Sequence, residues 1–238
     1  MISHPSPNFD DRAVGTEVTL LVLHYTGMAS GAAALERLCD GAAKVSAHYM
    51  IEEDGQVYCL VNEDKRAWHA GVSSWEGQRD INSLSIGIEL VNPGHDGEDY
   101  KGNYRAFPEG QMAALIPLCQ DIVSRHNIRP WHILGHSDVA PARKIDPGEL
   151  FDWQRLSGEG IGIWPAVEKK LPASEDVADI QKKLAEYGYD IAPTGIYDDQ
   201  TRAVVSAFQR HFRPTNYSGT IDQQTAMILD HLLAVKSA

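Results

Sequence analysis

An apolar run near the N-terminus places the strongest constraint on the fold. Residues 18–23 read VTLLVL, and a histidine follows at position 24. Such a run is typical of a strand buried on both faces, with helices covering its sheet. Open α/β sheets tend to place their chemistry at the carboxyl ends of their strands, where His24 falls. The run therefore predicts an α/β domain and makes His24 a candidate functional residue, with a hydrogen-bonded core histidine as the alternative.

A carboxylate interrupts the second strongly apolar strand pattern, residues 83–91. Apolar side chains share one face of this predicted strand, and Ser85, Gly87 and Glu89 share the other. A charge inside such a strand is costly unless it is paired or faces a wet cleft. Glu89 is therefore either half of a structural ion pair or a functional carboxylate in a cleft.

The patterns around these strands complete a mixed α/β domain. Helical spacing of apolar residues predicts helices over 31–40 and 108–126. AHYMI and QVYCLV flank EEDG, which predicts a hairpin over 47–61 because Asp-Gly is a strong turn signal. Residues 92–108 form a long polar loop, of a kind that is often functional. We therefore expect a mixed central β-sheet flanked by helices, in a domain that covers residues 1–172.

The stretch GHSDVAPARKIDPG, residues 135–148, gathers the most side chains capable of chemistry. It follows a predicted short strand over 131–134 and contains His136 and Asp146. Its two prolines and closing glycine predict a shaped loop rather than a helix. A neutral imidazole and a carboxylate are good ligands for a borderline metal such as zinc. Two ligands are too few for a site, and His24 is the best candidate for a third.

Residues 173–238 are predicted to form a second, smaller domain. It follows the linker-like PASED and carries a weak internal repeat, in which TGIYDDQTRAVV matches SGTIDQQTAMIL at an offset of 24 residues. Asp198 and Asp222 occupy matching positions, where a side chain can cap the following helix. With one further helix before the repeat, the pattern predicts a small three-helix domain of about 60 residues.

Composition narrows the class of protein. The formal net charge of −12 argues against nucleic acid as a partner, because phosphate binding needs clustered Lys and Arg. No apolar run approaches the roughly 18 residues of a transmembrane segment, and the polar N-terminus lacks the apolar part of a secretory signal. The cysteines are odd in number and form no CxxC pair, which favours free thiols at Cys39, Cys59 and Cys119.

Five segments of the first domain occur in the order LVLHYT, SAHYMIEEDGQVY, AWHAG, NSLSIGIEL and GHSDVAPARKIDPGELFDW, all within residues 17–153. In sequence and order they resemble the zinc-dependent N-acetylmuramoyl-L-alanine amidases of the amidase-2 type, which are related to peptidoglycan recognition proteins. Residues 174–235 are similar to the helical peptidoglycan-binding module often appended to cell-wall hydrolases, through LAEYGYD, FQRHF and GTIDQQT.

The resemblance implies a catalytic site. It implies one Zn²⁺ per chain, held by His24, His136 and Asp146. It implies Glu89 as the general base and Lys144 as the residue that stabilises the transition state. Some relatives place a catalytic tyrosine just before the histidine of the hairpin. That position is Ala47 here, so the chain is similar to the branch that uses the glutamate.

Four further residues are predicted to contact the substrate: Tyr25, Trp68, His69 and Asn82. Core packing is the alternative for Trp68 and His69, and a turn is the alternative for Asn82. Structural roles are predicted for His48 and His132. No functional role is predicted for three histidines on the tail, a loop and a helix end, which are His4, His95 and His126.

These observations predict an amidase that acts on peptidoglycan or an anhydromuropeptide, with no nucleic-acid partner, no transmembrane segment and no assigned oligomeric state. One alternative is a non-catalytic recognition protein, although such a protein would be expected to lack a metal ligand. Another is a zinc hydrolase that cuts a different amide in the stem peptide. The absent signal and the odd cysteine count predict a cytoplasmic location. The wall-binding module favours the alternative, a periplasmic or cell-envelope enzyme whose signal has been removed.

Overall fold

Within residues 1–96, 101–166 and 173–237, which the computed structural model describes, the centre is a six-stranded mixed sheet. The strands of the chain are β1 (Ile2–Ser3), β2 (Phe9–Asp11), β3 (Leu20–Tyr25), β4 (Tyr49–Ile51), β5 (Val57–Cys59), β6 (Lys65–Ala67), β7 (Ser85–Leu90) and β8 (Ile133–Gly135). The central order is β1-β5-β4-β7-β3-β8, and β2 pairs with β6 in a separate ribbon. Only β4 and β5 pair antiparallel in the central sheet, as the predicted hairpin.

Helices lie on both sides of this sheet and in the segments that connect its strands. They are α1 (Gly31–Cys39), α2 (Ile81–Leu84), α3 (Glu109–His126), α4 (His136–Val139), α5 (Trp153–Gly158), α6 (Val177–Tyr187), α7 (Asp199–Phe212) and α8 (Gln223–Lys236). The predicted caps of the last two helices are present, because Asp198 and Asp222 each accept a backbone N–H from the threonine three residues on. No helix among the described residues is long and apolar enough to span a membrane.

The structure corrects several sequence-based boundaries. The first buried strand extends through His24 and Tyr25, so the histidine lies within the strand rather than after it. The predicted strand at 131–134 begins as a 3-10 turn over Pro130–His132. The stretch 135–148 was expected to contain no helix, but its first four residues after Gly135 form the single turn α4. The side chain of Asp138 accepts the Gly135 N–H at 2.7 Å, which stabilises this turn locally.

The two faces of β3 enter two different apolar clusters. Leu21 and Leu23 pack in the cluster that contains the buried side of α3. Leu20 and Val22 belong to a cluster that continues into the buried sides of α6, α7 and α8. The three-helix unit therefore covers the second face of the sheet, which explains why β3 is apolar at successive positions.

Two predictions touch residues outside the described ranges. The domain boundary at residue 172 falls in 167–172, and the long loop at 92–108 includes 97–100. The division of the chain at residue 172 stays a prediction.

The three cysteines are free, with Cys119 buried and Cys39 and Cys59 partly exposed.

Gly87 in β7 allows a buried histidine to approach the sheet. A Cβ at this position would lie 2.4 Å from Cγ of His69, closer than real side chains allow. The His69 ring is itself buried, so it has little room to move aside. The glycine thus sets the depth at which His69 packs.

We expect Gly87→Ala to lower the free energy of unfolding by roughly 1–3 kcal/mol, the usual cost of overpacking a core. Urea denaturation measures this change. Gly158→Ala is the matched control, because a Cβ there meets nothing within 4 Å. Equal stability of the two variants would contradict the close packing of His69 against β7.

Candidate active site and metal centre

Parallel pairing places three candidate functional residues side by side. His24 on β3 lies directly opposite Glu89 on β7 in the register of the sheet. On the other side of β3, Leu23 pairs with Gly135 of β8, and His136 is the next residue. Because the carboxyl ends of parallel strands meet at the same edge, residues far apart in sequence converge there.

Three ligand atoms converge at this edge. Nδ1 of His24 lies 2.9 Å from Nδ1 of His136 and 3.0 Å from Oδ2 of Asp146. Nδ1 of His136 lies 3.1 Å from the same Asp146 oxygen. All three residues are buried. The backbone carbonyl of Asp146 accepts the Ser137 N–H at 2.9 Å, which ties the third ligand to α4.

A hydrogen-bond chain behind His24 assigns its tautomer. The Ser85 hydroxyl donates to the Ile81 carbonyl at 2.6 Å, so its oxygen accepts from Nε2–H of His69 at 3.1 Å. Nδ1 of neutral His69 then carries no proton and accepts from Nε2–H of His24 at 3.0 Å. Burial, with the neighbouring histidines, lowers the pKa of His24 to about 4 and that of His69 well below its usual value. Neutral His24 therefore presents a bare Nδ1 to the centre.

A backbone carbonyl assigns the same tautomer to His136, with the proton on Nε2. Its Nε2 lies 3.1 Å from the carbonyl oxygen of Ala70, which can only accept. The proton therefore sits on Nε2 in the neutral ring, and Nδ1 faces His24 and Asp146 as a lone pair. His69 and Ala70 are neighbours in the AWHAG segment, so one short segment orients both imidazoles.

The converging atoms fit a cation. The two bare Nδ1 atoms lie 3.0 and 3.1 Å from one oxygen of Asp146, a carboxylate that binds a metal in its ionised form. Two lone pairs and a carboxylate oxygen then face one another, which is repulsive without a positive charge. A tetrahedral zinc ion with bonds of about 2.0–2.1 Å would separate its ligand atoms by roughly 3.3 Å, close to the observed spacing. The cluster can thus hold a metal ion.

Glu89 and Lys144 line the same cavity as His136 and Asp146, and its volume is about 460 Å³. Glu89 is 8% exposed, and among the described residues its Oε2 has no hydrogen-bond partner. Burial, followed by the negative charge of Asp146, raises the pKa of Glu89 well above its usual value. A buried carboxyl with a free oxygen at a cavity wall is a candidate for proton transfer.

Tyr25 and His95 form another part of the cavity wall. The Tyr25 hydroxyl lies 3.1 Å from Nδ1 of His95, whose Nε2 lies 3.2 Å from the Glu149 carboxylate. The His95 ring also stacks on Tyr104 with centroids 4.0 Å apart. Sequence reasoning gave His95 no role, although its position in the long loop after β7 was a usable signal.

The other predicted substrate contacts occupy different positions. His69 lies beneath His24 at the base of the cavity, with both ring nitrogens bonded to protein atoms. Asn82 is buried and does not line the cavity, because its Oδ1 accepts the N–H groups of His69 and Ala70 at 3.1 and 2.8 Å. Trp68 also lies outside the cavity lining, and its indole N–H donates to Asp10 at 2.7 Å. The AWHAG segment thus packs behind the ligands.

The histidines predicted to be structural have protein partners. Nδ1 of buried His48 accepts the Gly87 N–H at 2.9 Å. His132 lies 3.0 Å from a Glu76 oxygen. His126, at the end of α3, pairs with Glu63 at 2.7 Å and lies outside the cavity lining.

Arg143 stabilises the loop that carries Lys144 through hydrogen bonds. Its guanidinium donates to the carbonyl oxygens of Ala70 and Val72, so it joins this loop to the end of the AWHAG segment. Its side chain borders both the ligand cavity and a neighbouring groove.

Comparison with known proteins finds a matching family for each of the two parts of the chain. The family model for N-acetylmuramoyl-L-alanine amidase matches residues 14–149, and that for a peptidoglycan binding domain matches residues 173–229. The N-acetylmuramoyl-L-alanine amidase AmiD of Escherichia coli is 39% identical over 93% of this chain and 84% of its own length. The 1,6-anhydro-N-acetylmuramyl-L-alanine amidase AmpD of Haemophilus influenzae is 34% identical over 63% of this chain and 86% of its own.

Solved structures agree with these sequence matches. AmiD from E. coli, in complex with anhydro-N-acetylmuramic acid-L-Ala-D-γ-Glu-L-Lys, superposes with a TM-score of 0.83 at 38% identity, over 94% of this chain and 92% of that one. AmpDH3 from Pseudomonas aeruginosa, in complex with an anhydromuramic pentapeptide, superposes with a TM-score of 0.83 at 34% identity, over 97% and 98%. With its two family matches and these full-length likenesses, the chain belongs to the N-acetylmuramoyl-L-alanine amidase family and carries a C-terminal peptidoglycan-binding domain.

Proposed function

We propose that this protein is a zinc-dependent amidase that hydrolyses the bond between N-acetylmuramic acid, or its 1,6-anhydro form, and the L-alanine of the stem peptide. The observation that carries the proposal is the convergence of two bare imidazole nitrogens and a carboxylate oxygen beside Glu89. The bound ligands of AmiD and AmpDH3, both anhydromuramyl peptides, support the same substrate class for this chain.

The metal in this proposal is one Zn²⁺ per chain, held by His24, His136 and Asp146. Two neutral imidazoles and one carboxylate leave the site a formal charge of about +1 when a divalent ion is bound. A bound zinc ion supplies Lewis-acid chemistry, because it polarises an amide carbonyl and makes water more acidic. The ligand set matches the nitrogen and oxygen donors that zinc accepts.

Glu89 acts as the proton carrier in this proposal. It accepts the proton of the attacking water and delivers it to the amide nitrogen as the carbon–nitrogen bond breaks. Its burial favours the protonated form, which makes the Glu89 carboxylate a good acceptor for the first proton transfer. Its register position opposite His24 keeps it beside the ligands throughout the reaction.

Lys144 and Tyr25 are proposed to contact the substrate. The amide oxygen gains negative charge as the carbonyl becomes tetrahedral, and the Lys144 ammonium can meet that charge from the cavity wall. Tyr25 presents its ring and hydroxyl on the same wall and can contact the muramyl or peptide part. His69 is assigned a different role, as the residue that fixes the tautomer of His24.

The rival functions differ in their products. A recognition protein without catalysis would not need a buried carboxyl with a free oxygen beside the ligands, which Glu89 provides. A hydrolase acting on a bond within the stem peptide would release fragments without an L-alanine N-terminus. The cytoplasmic location stays a prediction, and the free thiols are compatible with a reducing compartment.

Product analysis tests the proposed reaction. We expect the protein to release a peptide beginning with L-alanine from an anhydromuropeptide, as measured by mass spectrometry. We also expect chelation to abolish release and added Zn²⁺ to restore it, because the bound ion would supply the Lewis acid that polarises the amide carbonyl. Parallel assays on intact sacculi show whether the soluble fragment or the wall is preferred. A chelator-resistant activity, or cleavage at another bond, would reject the proposal.

Glu89→Gln separates catalysis from metal binding. We expect kcat to fall by about 100-fold or more, the usual contribution of a general base, while the zinc content stays unchanged. Atomic absorption and steady-state kinetics measure the two effects. Glu53→Gln is the control, since this carboxylate is paired with Arg105 outside the cavity lining. Full activity in Glu89→Gln would remove Glu89 from the mechanism.

His69→Ala tests the tautomer assignment of His24. We expect zinc affinity to fall by about 10- to 100-fold, because the lost acceptor no longer holds the proton on Nε2. Competition with a chromophoric chelator measures the dissociation constant. His132→Ala is the control, since its partners Glu76 and Thr19 do not touch the ligands. An unchanged zinc affinity in His69→Ala would show that the hydrogen bond to His24 is dispensable.

A further inference from the structure

The C-terminal domain contacts the segment that carries the metal ligands. We propose that this domain positions the ligands through a buried hydrogen-bond cluster on Asp138, in addition to any contact it makes with the cell wall. Asp138 would then be a positioning residue, with Tyr189 and His211 of the C-terminal domain as its partners. The inference rests on the proposed metal site and is independent of the identity of the substrate.

Asp138 is saturated by donors from two parts of the chain. Its Oδ1 accepts the hydroxyl of Tyr189 at 2.6 Å, and its Oδ2 accepts Nδ1–H of His211 at 2.8 Å. Oδ2 also accepts the backbone N–H of Gly135 at 2.7 Å. The residue is 1% exposed, so water cannot replace a lost donor without rearrangement.

The turn that Asp138 belongs to controls two of the three ligands. His136 is the first residue of α4, two positions before Asp138. Ser137, between them, donates its backbone N–H to the carbonyl of Asp146 at 2.9 Å. A rotation of α4 would therefore move the imidazole of His136 and release the backbone of Asp146 together.

Aromatic packing fixes the two donors from the C-terminal domain. The His211 ring stacks between Trp153 and Phe212, with centroid distances of 3.8 and 3.9 Å. The Tyr189 ring packs edge-on against Trp75 at 5.0 Å. Rigid donors can hold a short turn in one orientation, which mobile surface side chains cannot do.

The two domains are also joined away from Asp138. The Glu76 N–H donates to the Gly188 carbonyl at 2.8 Å, and the Lys236 ammonium donates to the Glu76 carboxylate at 2.5 Å. The apolar cluster shared with the sheet adds further contact. Loss of one hydroxyl or one imidazole at Asp138 should therefore leave the C-terminal domain in place, so point variants can test positioning alone.

The variants are Tyr189→Phe, His211→Phe and the double substitution, made in the full-length protein. Tyr187→Phe is the matched control, because this tyrosine is equally buried in the same apolar cluster and does not bond to Asp138. Zinc affinity is measured by competition with a chromophoric chelator, and ligand geometry by the visible absorption of the Co²⁺-substituted protein. Thermal unfolding of the metal-free protein and the kinetics on a soluble anhydromuropeptide complete the set.

We expect the double variant to bind zinc at least about 10-fold more weakly, with an altered Co²⁺ spectrum, and kcat to fall while KM changes little. Tyr187→Phe should match the wild type in zinc affinity and spectrum. A double variant with lowered thermal stability but unchanged zinc affinity and Co²⁺ spectrum would overturn the inference, because it would show a merely structural contact. If the wild type fails to cleave muropeptide while these metal effects persist, the proposed substrate is wrong and this inference stands.

Discussion

Strand β3 pairs in parallel with β7 on one side and with β8 on the other, and this pairing sets the geometry of the candidate site. It sets Glu89 opposite His24 and leads the chain from Gly135 into His136 beside them. A shift of one residue in either pairing would turn one of these side chains to the other face. The arrangement of the candidate site is thus a consequence of strand register, which the buried apolar faces of the sheet enforce.

Behind the ligands, the protein uses neutral hydrogen-bond acceptors to orient imidazoles. His69 accepts from His24, and the Ala70 carbonyl accepts from His136, so both Nδ1 atoms are left bare and face each other at 2.9 Å. Asn82 holds the backbone of this segment, and Gly87 makes the room that His69 needs. The AWHAG segment therefore orients the ligands from behind, and its Trp68 does not line the cavity.

The C-terminal domain has a structural role that its resemblance to a binding module did not suggest. Its helices share an apolar cluster with Leu20 and Val22 of the sheet, and its side chains Tyr189 and His211 meet Asp138. A sheet that is apolar on both faces needs cover on both, and α3 supplies only one side. One unit therefore both matches the peptidoglycan-binding family and covers the second face of the central sheet.

From the sequence one can predict the α/β class, the longer helices α1, α3, α6, α7 and α8, and the residue types of a candidate metal site at His24, His136 and Asp146, because periodicity and motif order are local properties. Tertiary structure alone decided that His95 enters the cavity wall, that Asn82 holds a backbone segment and that Asp138 receives donors from the second domain. These contacts join residues far apart in the chain, and only strand register and helix packing bring them within hydrogen-bonding distance.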